Sequence, residues 1–131
     1  MIQELNHLFT FDYDAELECG ILIWQDCVFS FEYRLINEHF LEFIDGRPFT
    51  KMIRDVRRLC VTTTQDQQWF MQTIAPKLLA MGLQYSANIV SNDKLEHLLV
   101  KGIIERVRAK DITTGYFDDI KQAKEWLREV S

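Results

Sequence analysis

A chain of 131 residues with 47% apolar and 27% charged side chains has the composition of a soluble globular protein rather than a disordered or fibrous one. It is long enough for a single domain, 1–131, that buries roughly 68–70% of the surface its unfolded form exposes, without a disulfide or metal to hold it. The net charge of −5 is uneven: residues 1–45 carry ten carboxylates and one base, Arg34, whereas residues 46–131 carry fourteen bases and ten acids. That basic excess is too thin and scattered for a nucleic-acid footprint, and an acidic face meeting a basic one, within the molecule or across a dimer, fits better.

Cys19, Cys27 and Cys60 are odd in number and form no CxxC pair, which argues against a secreted disulfide framework and a zinc ribbon and points to a reducing cytosol. The opening MIQELNHLFTF has neither a basic n-region nor a continuous apolar h-region, and no run approaches the ~20 apolar residues that span a bilayer. The expectation is a soluble, untargeted, cytoplasmic protein with no integral membrane segment.

Leu8 to Tyr13 alternates, with Phe9, Phe11 and Tyr13 opposite Thr10 and Asp12, as in a half-buried strand. After the turn at Asp14 to Gly20, the apolar run Ile21 to Trp24 completes an antiparallel hairpin. Ser30 is a candidate N-cap for a helix with apolar positions Phe31, Leu35, Ile36, Phe40, Phe43 and Ile44, ended by Gly46 and Pro48. Phe49 to Asp55 is the next strand. Thr64 with Gln67 forms a T-x-x-Q capping box that opens a helix carrying Trp69, Phe70 and Ile74. Pro76 kinks that helix, or stops it near Ala75 and restarts it, and Gly82 caps the end with Leu83 making the hydrophobic contact.

Tyr85 to Val90 is a strand, and Asn92 or Asp93 caps a helix with Leu95, Leu98, Leu99, Ile103 and Val107. Gly102 within it costs ~1 kcal/mol relative to alanine. Ile112 to Phe117 is the last strand, and Asp118 or Asp119 caps a final helix with Ile120, Ala123, Leu127 and Val130 in one stripe beside Trp126. The order β-β-α-β-α-β-α-β-α predicts an α/β fold: a single mixed, mostly parallel five-stranded sheet with an N-terminal antiparallel hairpin and four main helices. Thr10, Asp12, Arg54, Ser86, Asn88 and Thr113 alternate with apolar neighbours, which suggests one more polar sheet face, with helices mainly on the other and the polar one either wetter or partly covered by a partner subunit.

The segments IRDVRRL, TQDQQWF, the following Pro76 and Gly82, and YFDDIKQAKEWL resemble the small stand-alone SpoIIAA-like proteins of the STAS superfamily, a fold also compared with lipid-binding Sec14 domains. The similarity spans nearly the whole chain. It implies a non-enzymatic regulatory or ligand-sensing module. In the anti-sigma-factor antagonists of that superfamily a Ser or Thr follows the strand-end Asp and is phosphorylated by a partner kinase. Here Val56 and Arg57 follow Asp55, and no phosphosite is transferred.

Among candidate sites, Asp12, Asp14, Glu16 and Glu18 begin like a calcium loop but lack its glycine and closing glutamate, since Leu17 and Ile23 stand there, so a solvated acidic hairpin is the better reading. Cys60 with His39 or His97 lacks an oxyanion-hole motif, and the histidine spacing gives no metal set. Trp69 and Trp126 either border a hydrophobic pocket or close the core. The best cluster is Asp55, Arg57, Arg58, Thr62, Thr63, Thr64 and Asp66, with Asn92 bordering the same crevice: arginines beside a capped helix start suit a small anion, although the acids and arginines equally suit pairing with each other. The expectation is therefore a binding module with no cofactor, no metal and no catalytic residues, which associates with a protein partner or with itself as a homodimer. The alternative is a sensor of a small anion, nucleotide or lipid in the crevice near Asp55.

Overall fold

A computed structural model describes residues 2–60, 63–94 and 112–130. After a short 3-10 turn at Ile2–Leu5, strands β1 (Phe9–Asp14), β2 (Cys19–Trp24), β3 (Lys51–Asp55), β4 (Tyr85–Ile89) and β5 (Thr113–Phe117) form one sheet in the order β1-β2-β3-β4-β5. β1 runs antiparallel to β2 and every later pair is parallel, so the mixed sheet and its N-terminal hairpin match the expectation from sequence. Helix α1 (Ser30–Ile44) connects β2 to β3; α2 (Thr64–Trp69), a π turn (Phe70–Ile74) and α3 (Ala75–Ala80) connect β3 to β4; α4 (Ile120–Val130) follows β5. The expected helix from Asn92 to Val107 lies outside the described residues beyond its onset at 92–94.

The crossovers through α1 and through α2–α3 advance across the sheet in the same direction, and the right-handed rule therefore puts them on one face. There Leu22, Trp24 and Met52 pack with Ile36, Phe40, Ile44, Ile74 and Leu78 in the larger core. α4 turns back over the other face, where Ala123 and Leu127 meet Cys19, Ile21, Ile53, Ala87 and Ile89. Among the described residues the helices thus lie mainly on one face, with α4 opposite. Trp69 sits edge-to-face with Tyr33 in the first layer and Trp126 against Tyr85 and Phe117 in the second, so the two tryptophans share no pocket.

The polar strand positions do not share a face. Thr10 and Asp12 pair with Ile23 and Ile21, and Ile21 with Ile53, on the α4 side. Arg54 pairs with Leu22 and Asn88, beneath α2 and α3. The sequence reading grouped them because alternation fixes the phase within a strand, but only register fixes it between strands.

Pro76 explains the broken helix. Its ring collides with the carbonyl four residues back and it brings no N–H, and the chain absorbs both defects by widening into the π turn, in which Ala75 N–H donates to the Phe70 carbonyl. Pro76 then stands in the first turn of α3. At the end of α3, Gly82 takes φ +113° and Leu83 N–H returns to the Leu78 carbonyl at 3.1 Å, with Leu83 buried.

A Cβ on Gly82 would stand 2.7 Å from the Phe49 carbonyl oxygen, whereas one on Gly46, at φ +81°, would meet nothing within 4 Å. Gly82→Ala is expected to lower unfolding free energy by more than about 2 kcal/mol, and Gly46→Ala by about 1 kcal/mol, in urea titrations. Equal losses would contradict this packing.

Candidate functional site

The loop after β3 resolves the predicted cluster into separate pieces. Asp55, 6% exposed at the strand end, is held by Arg57: Nε donates to one carboxylate oxygen at 3.0 Å, Nη2 to the other at 2.7 Å, and the Arg57 backbone N–H adds a bond of 3.1 Å. This two-pronged pair satisfies both oxygens and raises the Arg57 pKa, chiefly through the hydrogen bond to Asp55, with Asp119 and Asp118 adding to it. Arg58 Nη1 reaches Gln25 Oε1 at 3.5 Å. An open cavity of about 360 Å³ beside them is bordered by Ile23, Trp24, Gln25, Asp55, Arg57 and Arg58.

Asp66 belongs elsewhere. Its carboxylate accepts the Ser30 hydroxyl at 2.6 Å and Arg34 Nε at 3.1 Å, tying the first turn of α2 to the start of α1. Thr63, not Thr64, is the N-cap of α2, its hydroxyl accepting Asp66 N–H at 3.1 Å; Thr64 is the first helical residue. The Ser30 hydroxyl hydrogen bond, opposed by burial and helped by Arg34, lowers the Asp66 pKa. A negative group already sits at the positive end of α2, so the helix start offers no vacancy for a second anion. Ser30 is likewise not a cap: α1 opens with Glu32 accepting the Phe29 N–H at 2.9 Å.

Thr62 lies outside the described residues. Asn92 is exposed at the onset of a helical stretch capped by Ser91, which accepts Lys94 N–H at 3.4 Å. Asp119 caps α4 through Gln122 N–H at 2.8 Å. At the end of β1, Asp14 pairs with Lys124 at 3.1 Å, joining the acidic N-terminal third to the basic remainder within one chain.

Cys60 is bonded to Cys27, with Cα atoms 4.9 Å apart, which corrects the reading of unpaired cysteines and removes a thiolate from the loop. The bridge clamps the loop after β2 to the loop after β3, and both half-cystines are exposed. Cys19 is fully buried, and burial pushes its thiol up to about 12, far from a reactive thiolate.

A second cavity, of about 340 Å³, lies against the opposite sheet face, and sequence reasoning singled out only part of its floor. Two rows cross three strands there: Met52, Ser86 and Thr114, then Arg54, Asn88 and Tyr116. Phe70 and Met71 of the π turn, with Ala75 and Leu78 of α3, form its roof. Leu83 and Ile112 close one end, while Val56, Val90 and the exposed Lys94 border the other.

The Arg54 guanidinium carbon sits 4.5 Å over the Phe70 ring, and no carboxylate among the described residues pairs with it. Arg54 Nε and Trp24 Nε1 are the two buried side-chain nitrogens lacking a hydrogen-bond partner among the described residues. Burial raises the Tyr116 pKa although Arg54 pulls it down. The alternation Arg54, Ser86, Asn88 was visible in sequence; Thr114 and Tyr116 needed the register of β5, and the roof needed the π turn. Comparison of the chain with protein-family models and with curated proteins finds no match.

Asp66→Asn is expected to destabilise by about 2–4 kcal/mol at neutral pH, because two donors lose a charged acceptor. The folded pKa lies below the unfolded value, so this stabilisation is full above the ordinary carboxylate pKa and disappears as pH falls through the folded one. Urea titrations of both proteins from neutral to acid pH should therefore converge. Opening the Cys27–Cys60 bridge, which spans 33 residues, should cost about 3–4 kcal/mol. Wild type in reductant and the Cys27→Ser/Cys60→Ser variant should unfold at the same urea concentration, below that of oxidised wild type.

Proposed function

We propose that the chain is a non-enzymatic regulatory module of the STAS-like kind that senses a small ligand, and that the ligand binds under the π turn rather than beside Asp55. The antiparallel start, the parallel β-α succession and the strand-end Asp55 support the family reading. The observation that carries the ligand site is Arg54: a cation with a buried, unpartnered Nε in a largely apolar cavity of about 340 Å³, a size ordinary for small-molecule sites. Leaving such a donor unmet costs about 1–3 kcal/mol, which a ligand acceptor recovers. Asp55, by contrast, is already neutralised by Arg57.

No helix among the described residues is long and apolar enough to cross a membrane. A cytoplasmic location belongs to this proposal, and there the exposed Cys27–Cys60 bridge would stand reduced. A second reading, protein association or a homodimer, is favoured by one observation: Phe29 and Phe31 are 72% and 64% exposed and stack on each other with ring centroids 6.3 Å apart.

Amide spectra recorded during a screen of nucleotides, anions, lipids and apolar acids separate these readings. Ligand binding is expected to move the amides of Val56, Ser86, Asn88 and Tyr116, and Ser86→Leu, which fills the cavity, is expected to abolish those shifts. Shifts confined to Asp55, Arg57 and Arg58 would overturn the proposed site. Light scattering of wild type and Phe29→Ser/Phe31→Ser across concentration tests association: a wild-type dimer that the variant loses supports it, and a monomer throughout counts against it.

A further inference from the structure

We infer that the ligand is a single-tailed organic monoanion, an alkyl or aryl carboxylate, with its headgroup on the Arg54, Asn88 and Tyr116 row and its apolar body directed toward Met52, Leu78 and Ile112. This rests on the ligand-binding reading and adds the chemical class.

The row supplies the argument. Arg54 pairs with Asn88 across β3 and β4, and Asn88 with Tyr116 across β4 and β5, so alternation and register point all three side chains to one face at strand spacing, about 5 Å apart. Together they offer a guanidinium, an amide and a protonated phenol. No carboxylate stands among the described residues that line the cavity, and the charged ones among them are both cations, Arg54 and Lys94. The electrostatics therefore favour an anion.

Its charge follows from the surroundings. Lys94 is exposed and remains hydrated, leaving one guanidinium on the half-buried side of the cavity. One guanidinium offsets one negative charge, which suits a carboxylate. A phosphate monoester carries about −1.5 to −2 at neutral pH and would bring uncompensated charge into an apolar site. The rest of the molecule must be mainly apolar, because beyond the row, the hydroxyls of Ser86 and Thr114 apart, the walls are Met52, Leu78, Leu83 and Ile112, all buried and all part of the larger core.

The test compares one tail with different headgroups: decanoate, decyl phosphate, decanol and decylammonium, each below its aggregation concentration, titrated into the oxidised full chain and followed by calorimetry and by the Ser86, Asn88 and Tyr116 amides. Decanoate is expected to bind saturably, and Arg54→Met to weaken it about 10- to 100-fold while leaving decanol unchanged. Arg54→Met replaces a half-buried cation by an apolar side chain of similar length, and should fold; Tyr116→Phe is a milder second variant, expected to weaken decanoate alone by several-fold. Equal affinity for decanoate and decanol, tighter binding of the phosphate, or indifference of decanoate to Arg54→Met would overturn the carboxylate assignment while leaving a ligand cavity. If no headgroup moves the cavity amides but another screened compound does, the class is wrong and the site stands. If nothing moves them, both fall.

Discussion

The central strand carries two adjacent charges, and a strand must send neighbouring side chains to opposite faces. Arg54 goes beneath the helices and Asp55 toward the α4 side, each needing its own partner within a few ångströms. Asp55 finds one two residues along the chain, because the loop bends back far enough for Arg57 to grip both carboxylate oxygens. Among the described residues Arg54 meets an aromatic face, Phe70, whose attraction to a cation is worth about 0.5–2 kcal/mol and leaves Nε without an acceptor. Much of the difference between the two sheet faces follows from this difference between two neighbours.

What keeps Arg54 from being sealed is the helix above it. An undisturbed α-helix from Thr64 to Ala80 would present a regular ridge to the sheet. Pro76 prevents that, and the π turn it forces carries Phe70 and Met71 over the cavity. Single-turn π segments often coincide with functional sites because the widened turn displaces the side chains it carries. Here the same residue breaks the helix and shapes the roof.

Much of the fold was legible because its signals are local. The alternation in β1, the glycine stops at Gly46 and Gly82, and the stripe of Ala123 and Leu127 each depend on neighbours a few residues away, and each takes its expected place. The caps shifted by one residue, to Thr63 and Ser91, since a hydroxyl or amide on either side of a helix start reads alike in sequence. The site was less legible. Asp55, Arg57 and Asp66 lie within twelve residues of one another in sequence, but Asp66 is drawn away by Ser30 and Arg34, partners more than thirty positions distant. The bridge between Cys27 and Cys60 was hidden for the same reason, because no spacing rule brings two loops together before the order of strands is known.

The two sheet faces differ in how completely they close. On the α4 side the strands present small or aliphatic groups, Ala87, Ile53 and Ile89, and Gly115 lets the Trp126 ring approach to where a Cβ would stand 3.3 Å from it. That face reads as ordinary core, and its buried polar strand residues have partners: Lys51 Nζ donates to the Leu17 carbonyl and Asp55 accepts from Arg57. On the other face the same three strands carry Arg54, Ser86, Asn88, Thr114 and Tyr116 where an apolar run would pack better. A sequence that closes one face so well has the means to close the other. A polar row kept under an apolar roof goes against local packing, and such departures concentrate where a protein binds something.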